Sequence, residues 1–227
     1  LHRIIENLAI TAGLPKPRVF FIDDPSPNAF ATGRDPKHAV VAVTRGLLER
    51  LDRSELEGVL AHELSHIGNR DMLISTIVVV LAGIIAIVSD IFLRMTWFGG
   101  LRSNNRNNRA GGILMAVALI GAILAPFAAM LIRLAVSRRR ELLADASGVL
   151  LTRYPEGLIN ALRKISADPR PLAHAHTATA HLFFENPFKA DALTKPDQAR
   201  RTPWIVKLFM THPPMEDRIR ALQGMKV

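Results

Sequence analysis

The pattern of apolar and polar positions divides the chain of 227 residues into three parts. In residues 1–71 and 136–227, short apolar runs alternate with polar turns, as they do in a folded globular domain. Between them, residues 72–135 contain two long apolar runs joined by a polar stretch. The pattern therefore predicts one domain in two parts, with a helical hairpin inserted at 72–135.

The first part has the pattern of a small sheet that follows a helix. Residues 1–12 have apolar positions at helical spacing. The runs at 18–22, 28–33 and 39–45 are rich in strand-forming residues and are separated by turn sequences. Short strands with tight turns between them predict an antiparallel sheet of three strands.

A longer helix is predicted over residues 54–71. Either Asp52 with Glu55 or Ser54 with Glu57 would form a capping box at its start. The apolar residues at helical spacing, which would form its buried side, are Leu56, Val59, Leu60, Leu64 and Ile67.

The two long apolar runs, residues 72–93 and 113–132, match the hydrocarbon core of a bilayer in length. Asp90 lies near one end of the first run, and Trp97 follows as an interfacial anchor. Pro126 interrupts the second run, which membrane helices tolerate. A buried core helix is the alternative, although few such helices remain uncharged over this length.

Composition and charge agree with a membrane protein. Hydrophobic residues make up 49% of the chain beside 22% charged residues, so the apolar residues must be concentrated in part of it. The net charge of +9 suits nucleic acid or an anionic membrane surface. Aromatic residues are only 6% and no basic stripe alternates with them, so we expect no nucleic acid partner. The chain has no cysteine, which leaves His, Asp and Glu as metal ligands.

The candidate chemistry lies in the predicted helix, where His62, Glu63 and His66 form an HExxH pattern. Four residues apart on a helix, the two histidines share one face and can bind one zinc ion. Glu63 then lies beside the metal and can act on its bound water. The alternative is a surface helix with two ordinary histidines.

A catalytic zinc site needs a third protein ligand and leaves its fourth position to water. Glu141 is our candidate, because it lies on a predicted helix with Asp145 on the same face one turn later. Asp145 would accept a hydrogen bond from a ligand histidine and fix its tautomer. The alternative is that Glu141 only pairs with the arginines at 138–140.

These residues predict hydrolysis of a peptide bond. Zinc would lower the pKa of its bound water, and Glu63 would take the proton as that water attacks the carbonyl. Glu63 would then pass the proton to the leaving amine. The developing oxyanion needs a further donor, for which His212 is a candidate with Arg218 assisting. For either residue alone, simple packing at the entry to a final helix is the alternative.

The order of the motifs constrains the topology. Both apolar runs lie between His66 and Glu141, so two crossings would bring the two residues back to one side of a membrane. Local charge does not decide which side. The arginines at 138–140 favour the cytoplasm, whereas the loop at 94–112, with four arginines and no acid, favours the opposite orientation.

Five short motifs occur in order along nearly the whole chain. They are Gly13-Leu14-Pro15, the stretch from Pro27 to Gly33, the stretch from Ala61 to His66, the stretch from Arg140 to Asp145, and Thr211-His212-Pro213-Pro214 with Arg218. Together they resemble the HtpX-type membrane zinc metalloproteases, relatives of the CAAX prenyl endoproteases.

The resemblance implies that Glu141 is the third zinc ligand and that His212 supports the transition state. It also implies an edge strand that holds the substrate in extended form. The substrate-binding residues of this strand would be Asn28, Ala29, Phe30 and Ala31. Members of the family act in quality control at the bacterial inner membrane, with the active site facing the cytoplasm.

We therefore predict a mainly α-helical protein with a small antiparallel β-sheet. Its α+β zincin-type catalytic domain would be formed by residues 1–71 and 136–227, and a transmembrane helical hairpin by residues 72–135. We expect one zinc ion per chain and, as substrates, misfolded or damaged membrane proteins. The sequence does not decide between two further kinds of partner, namely other copies of this chain and other quality-control membrane proteins. HtpX-type proteases carry hydrophobic segments before the catalytic part, so we also expect sequence upstream of Leu1.

Three other functions fit parts of the pattern. A CAAX-type processing protease with a narrow substrate range usually has more membrane spans. A non-catalytic zinc-binding membrane scaffold would need no Glu63 and would close the fourth position. A transporter is disfavoured because Asp90 is the only ionisable residue in the two apolar runs. We assign no role to His174, His176 and His181.

Overall fold

The computed structural model describes residues 1–97, 109–168 and 213–225. Helices dominate and one small sheet lies near the start of the chain, so the predicted fold class is confirmed. In chain order the elements are α1 (His2–Thr11), β1 (Arg18–Ile22), β2 (Ala29–Thr32), a 3₁₀ turn (Pro36–His38), β3 (Val40–Thr44), α2 (Arg45–Arg50), α3 (Arg53–Gly68), α4 (Asp71–Trp97), α5 (Arg109–Thr152), α6 (Pro155–Ser166) and α7 (Met215–Gln223).

The chain separates into two compact units. The first unit combines Leu1–Leu73 with Ser137–Val227 and contains the sheet and the hydrophobic core. The second unit, Ile74–Val136, contains the apolar parts of α4 and α5. The predicted metal ligands all belong to the first unit.

The sheet is mixed, so the prediction of a purely antiparallel sheet is wrong. The strand order is β1-β3-β2, with β3 antiparallel to β2 but parallel to β1. The first and second strands are therefore not neighbours. Strand β2 occupies one edge of the sheet and β1 the other.

The connection from β1 to β2 explains this arrangement, because it passes across the end of β3. The hydroxyl of Thr44, at the end of β3, donates to the Ser26 carbonyl (2.7 Å) and accepts from the Asn28 backbone N–H (2.8 Å). Gly46 lies so close to this connection that a Cβ there would overlap the Pro25 carbonyl oxygen. The chain thus reaches the far side of β3 before β2 begins, and β1 is left parallel to β3.

Helix α3 runs through the core of the first unit. Its capping box is formed by Asp52 and Glu55, one of the two predicted pairs. The helix packs against α1, β2 and α6, so most of its residues are buried and not only one stripe of them. All five apolar residues predicted for its buried side belong to the core.

Two glycines set the distances between α3 and its neighbours. A Cβ on Gly58 would lie 2.7 Å from the backbone nitrogen of Leu158 in α6. A Cβ on Gly148, in α5, would lie 2.9 Å from the backbone nitrogen of His62 in α3. Real Cβ atoms essentially never approach this closely. The backbones of α5 and α6 therefore lie directly against α3.

The two long apolar runs lie in α4 and α5, which have 27 and 44 residues. Helix α5 continues through Pro126 as far as Thr152, so the second apolar run and the stretch with Glu141 form one helix. Both helices are long and apolar enough to cross a bilayer, and only 6% of the apolar window of each is buried. A core helix would be covered by protein, so this low burial favours membrane spans over the alternative of buried core helices.

Candidate metal centre

Three side chains from two helices converge at α3. His62 and His66 lie on successive turns of α3, and Glu141 of α5 faces both. The two Nε2 atoms of the histidines are 3.0 Å apart. The carboxylate oxygens of Glu141 lie 3.8 Å from His62 Nε2 and 3.7 Å from His66 Nε2. The structure thus brings together the three residues predicted as metal ligands.

The donor set of this cluster suits a catalytic zinc ion. At zinc–ligand distances near 2 Å, the corners of a tetrahedron are about 3.3 Å apart, and the three observed separations lie on both sides of this value. Two imidazole nitrogens and one carboxylate oxygen occur together in catalytic zinc sites. Burial lowers the pKa of His62 to about 4 despite the opposing effect of Asp145, so the imidazole is neutral, as a ligand must be.

Glu63 lies beside the ligands and is almost fully buried, with 3% of its surface exposed. Its carboxylate accepts a hydrogen bond from the Ala31 backbone N–H in β2. Burial raises the pKa of Glu63 to about 7, and the charge of Glu141 adds to this effect while His66 opposes it. A carboxyl group with this pKa can both take up and release a proton near neutral pH.

Asp145 contacts His62 at Nδ1, and Arg218 in turn contacts Asp145. His62 Nδ1 lies 2.8 Å from Asp145 Oδ1. Arg218 donates to both carboxylate oxygens of Asp145, at 2.6 and 2.8 Å. Its Nη1 also lies 3.8 Å from Glu141 Oε2. Asp145 therefore lies against His62, as predicted. Arg218, which was predicted to assist His212 at the oxyanion, is buried and contacts Asp145 most closely.

A second acid, Asp71, supports the other histidine and is absent from the residues predicted from the sequence. His66 Nδ1 lies 2.7 Å from Asp71 Oδ2. Arg140 binds the second oxygen of Asp71 and donates to the Asn69 carbonyl (2.8 Å). Each of the two histidines predicted as ligands thus contacts a carboxylate, and each of these carboxylates contacts an arginine. The sequence indicates this contact only through the position of Asp71, shortly after the end of the HExxH helix.

The predicted substrate strand is the edge strand β2. The Thr44 N–H donates to the Asn28 carbonyl (3.0 Å), so by alternation the backbone groups of Ala29 and Ala31 point away from β3. The Ala29 N–H is bonded to Asn28 Oδ1 (3.0 Å), and the Ala31 N–H to Glu63. The carbonyl oxygens of Ala29 and Ala31 therefore face away from β3, on residues that are only 1% and 7% exposed, and Asn28 is buried as well.

A cleft of about 490 Å³ adjoins the centre, with His66 in its wall. The other lining residues come from the segments 13–15, 32–39 and 67–73 of the first unit. They include the last residue of β2, Thr32. Phe30, in the same strand, is partly exposed. The cleft thus begins at a candidate metal ligand and at one end of the edge strand.

One predicted site residue cannot be placed. His212 lies outside the described residues, and so do His174, His176 and His181. All other residues predicted for the site belong to the described part of the first unit.

Comparison with known proteins gives a family. A model of Peptidase family M48 matches residues 1–226. The chain is 47% identical over 229 residues to "Protease HtpX homolog" of Caldanaerobacter subterraneus subsp. tengcongensis, covering 100% of this chain and 72% of the relative. It is 51% identical over 230 residues to the protein of the same name from Lactobacillus acidophilus, covering 99% of this chain and 73% of the relative.

A solved structure has a similar fold. The crystal structure of S. mikatae Ste24p matches with a TM-score of 0.59 and 21% sequence identity, over 97% of this chain. The chain spans about half of the length of that structure, 48%. At this identity the likeness concerns the fold alone. The family match and the relatives together show that the chain belongs to Peptidase family M48, and they confirm the predicted resemblance to the HtpX-type membrane metalloproteases.

Proposed function

We propose that this protein is a zinc-dependent endopeptidase of the membrane that cleaves protein segments bound in extended form. The observation that carries the proposal is the convergence of His62, His66 and Glu141 next to the buried carboxyl group of Glu63. A structural metal site needs no such base and usually has four protein ligands. Zinc held by these three ligands would polarise the scissile carbonyl and acidify water.

Glu63 is the general base in this proposal. Its carboxylate takes a proton from the attacking water and then passes it to the nitrogen of the leaving amine. Burial raises the pKa of Glu63 to about 7 in the metal-free protein, and a zinc ion beside the carboxylate would favour the ionised form that accepts the proton. Arg218 acts as a positioning residue. It is fully buried against Asp145 and so acts through His62 and Glu141.

The substrate is proposed to extend the sheet along β2. The carbonyl oxygen of Ala31, which is less buried than Ala29, would accept a hydrogen bond from a backbone N–H group of the substrate. The Ala31 N–H already bonds to Glu63, so a substrate in this position lies next to the base. Asn28 shapes the edge through its bond to the Ala29 N–H. The proposed role of His212, as a donor to the transition state, rests on the family resemblance alone.

The proposed substrates are misfolded or damaged membrane proteins. Two helices of the chain are long and apolar enough to lie in the same bilayer as such substrates.

By family resemblance, the site faces the cytoplasm of a bacterial inner membrane. The chain has no cysteine, so a single Lys16→Cys variant, exposed in the first unit, can be labelled uniquely. A membrane-impermeant maleimide should label inverted vesicles and spare intact spheroplasts, and the reverse result would place the site outside.

The test of the catalytic proposal is a base variant that keeps the metal. Detergent-solubilised protein is loaded with zinc and given casein and a destabilised membrane protein. Glu63→Gln should lower cleavage by about a thousandfold or more while one zinc ion remains bound. The matched control is Glu57→Gln, on the same helix and paired with Arg53 at the surface, which should cleave like the parent. Equal cleavage by the parent and Glu63→Gln would overturn the assignment of the base.

A further inference from the structure

We propose that Asp71 and Arg140 form a positioning pair that sets the metal affinity of the centre through His66. The inference rests on the proposed metal centre and adds to it two residues that bind no metal themselves. Both belong to the first unit, although Asp71 is the first residue of α4 and Arg140 lies in α5.

The first step is the orientation of the imidazole ring. Asp71 Oδ2 lies 2.7 Å from His66 Nδ1, and a carboxylate can only accept a hydrogen bond. Nδ1 must therefore carry the hydrogen, which leaves the lone pair on Nε2. This is the atom that lies 3.0 Å from His62 Nε2 and 3.7 Å from Glu141 Oε1. Asp71 thus selects the tautomer of His66 that can bind a metal at the centre.

The second step is the fixation of Asp71 itself. Arg140 binds Asp71 Oδ1 through both Nε and Nη2, and its Nη2 also donates to the Asn69 carbonyl at 2.8 Å. One guanidinium therefore holds both ends of the turn between α3 and α4. Arg70, inside this turn, has a φ of 55°, a left-handed conformation that is uncommon for residues other than glycine. The direction of the Asp71 carboxylate depends on this turn and on Arg140.

The third step links two ligands. Arg140 directly precedes Glu141, so the residue that holds Asp71 is covalently adjacent to the third ligand. A displacement of α5 relative to the turn would therefore disturb His66 and Glu141 together. The side chains of Asp71 and Arg140 are 7% and 20% exposed, so thermal stability must be measured beside metal affinity in every variant of this pair.

The experiment measures metal affinity directly. Zinc is titrated against a chromophoric chelator, and the visible spectrum of the cobalt-loaded protein reports the ligand geometry. Asp71→Asn should weaken zinc binding by about 10- to 100-fold and change the cobalt spectrum, as loss of a carboxylate behind a ligand histidine does. The matched control is Asp90→Asn, another acid of α4 paired with an arginine, and should bind zinc like the parent.

A charge-swapped variant separates positioning from simple ion pairing. Asp71→Arg combined with Arg140→Asp keeps an ion pair but places a guanidinium, which cannot accept a hydrogen bond, beside His66. We expect thermal stability of the metal-free protein to recover relative to Asp71→Arg alone, and zinc affinity to remain low. Recovery of both would overturn the inference in favour of a structural role, and so would unchanged zinc affinity in Asp71→Asn. A parent protein that binds no zinc would overturn the proposed function and this inference with it.

Discussion

Each of the two histidines proposed as metal ligands is supported by a carboxylate and a guanidinium, but the surroundings of the two sets differ. His62, Asp145 and Arg218 are 1%, 1% and 0% exposed, and they come from α3, α5 and α7. The side chains of His66, Asp71 and Arg140 are 18%, 7% and 20% exposed, and two of them flank the turn that ends α3. All six residues belong to the first unit, the first set fully buried and the second around the turn from α3 to α4.

This difference separates two functions of an ion pair. In the buried set, the charges of Asp145 and Arg218 must compensate each other, because either one alone would be an unpaired charge in a low dielectric. In the second set, His66 and Arg140 are partly exposed, so water screens the ion pair more than in the buried set, and the hydrogen bond from His66 carries more of the effect. We therefore expect the buried set to control folding and metal binding together, and the second set to control mainly metal binding.

The largest expected effect is that of Asp145→Asn. The substitution leaves the Arg218 charge buried without its compensating carboxylate, which should lower the free energy of unfolding by about 3–5 kcal/mol. Thermal unfolding of the metal-free protein in detergent, followed by circular dichroism, measures this loss. The double variant Asp145→Leu/Arg218→Met should recover much of the stability but none of the zinc affinity. If zinc affinity also recovered, the carboxylate behind His62 would be dispensable.

The next largest effect is the pH dependence of stability from Glu63, on the buried side of the centre. Its pKa is raised to about 7 in the folded protein from 4.5, so the folded state binds the proton more tightly. Below pH 4.5 the group is protonated in both states and contributes nothing. As the pH rises towards 7, the metal-free protein should lose stability, by about 3 kcal/mol in all. Above pH 7 the penalty is constant.

Equilibrium unfolding of the metal-free protein between pH 4.5 and 8 measures this loss. Residue 63 cannot titrate in Glu63→Gln, so this variant should lack the part of the slope of unfolding free energy against pH that Glu63 contributes. Zinc should also flatten it, because a cation beside the carboxylate favours the ionised form. An equal slope in the parent and in Glu63→Gln would assign the pH dependence to other groups.

The smallest expected effect comes from an ion pair that touches no ligand. Lys164 of α6 lies 2.7 Å from the buried carboxylate of Glu55, but its own side chain is 45% exposed. Lys164→Met should therefore lower the free energy of unfolding by less than about 1 kcal/mol. Zinc titration should give the parent affinity. A fall in affinity as large as that of Asp71→Asn would mean that general loosening of the fold, and not ligand support, governs metal binding.

Local sequence patterns predicted those features that depend on neighbours in the chain. The capping box of Asp52 and Glu55 and the helical spacing of His62 and His66 are decided within one or two turns. The same holds for Glu141 and Asp145, which lie one turn apart on α5. For these residues the helix itself fixes which side chains share a face.

Features that depend on the path of the chain were not predictable in this way. The parallel pairing of β1 with β3 follows from a connection held by Thr44 and by the close approach at Gly46. The contact of Asp71 with His66 depends on the left-handed turn at Arg70 and on an arginine from a distant part of the chain. No local sequence pattern predicts that Asp71 and Arg140 form an ion pair.

The close approach of three helices limits how this protein could be made more heat-resistant. Replacing glycine by alanine inside a helix is a common engineering step, because it gains up to about 1 kcal/mol in helix propensity. At Gly58 and Gly148 the added methyl group would push α6 and α5 away from the helix that carries the HExxH motif. Gly83 and Gly121 have no described atom within 4 Å of an added Cβ and would accept the change. Thermostable variants should therefore be sought in the apolar helices. In the first unit, α5 and α6 can lie this close to α3 only because Gly148 and Gly58 have no side chain.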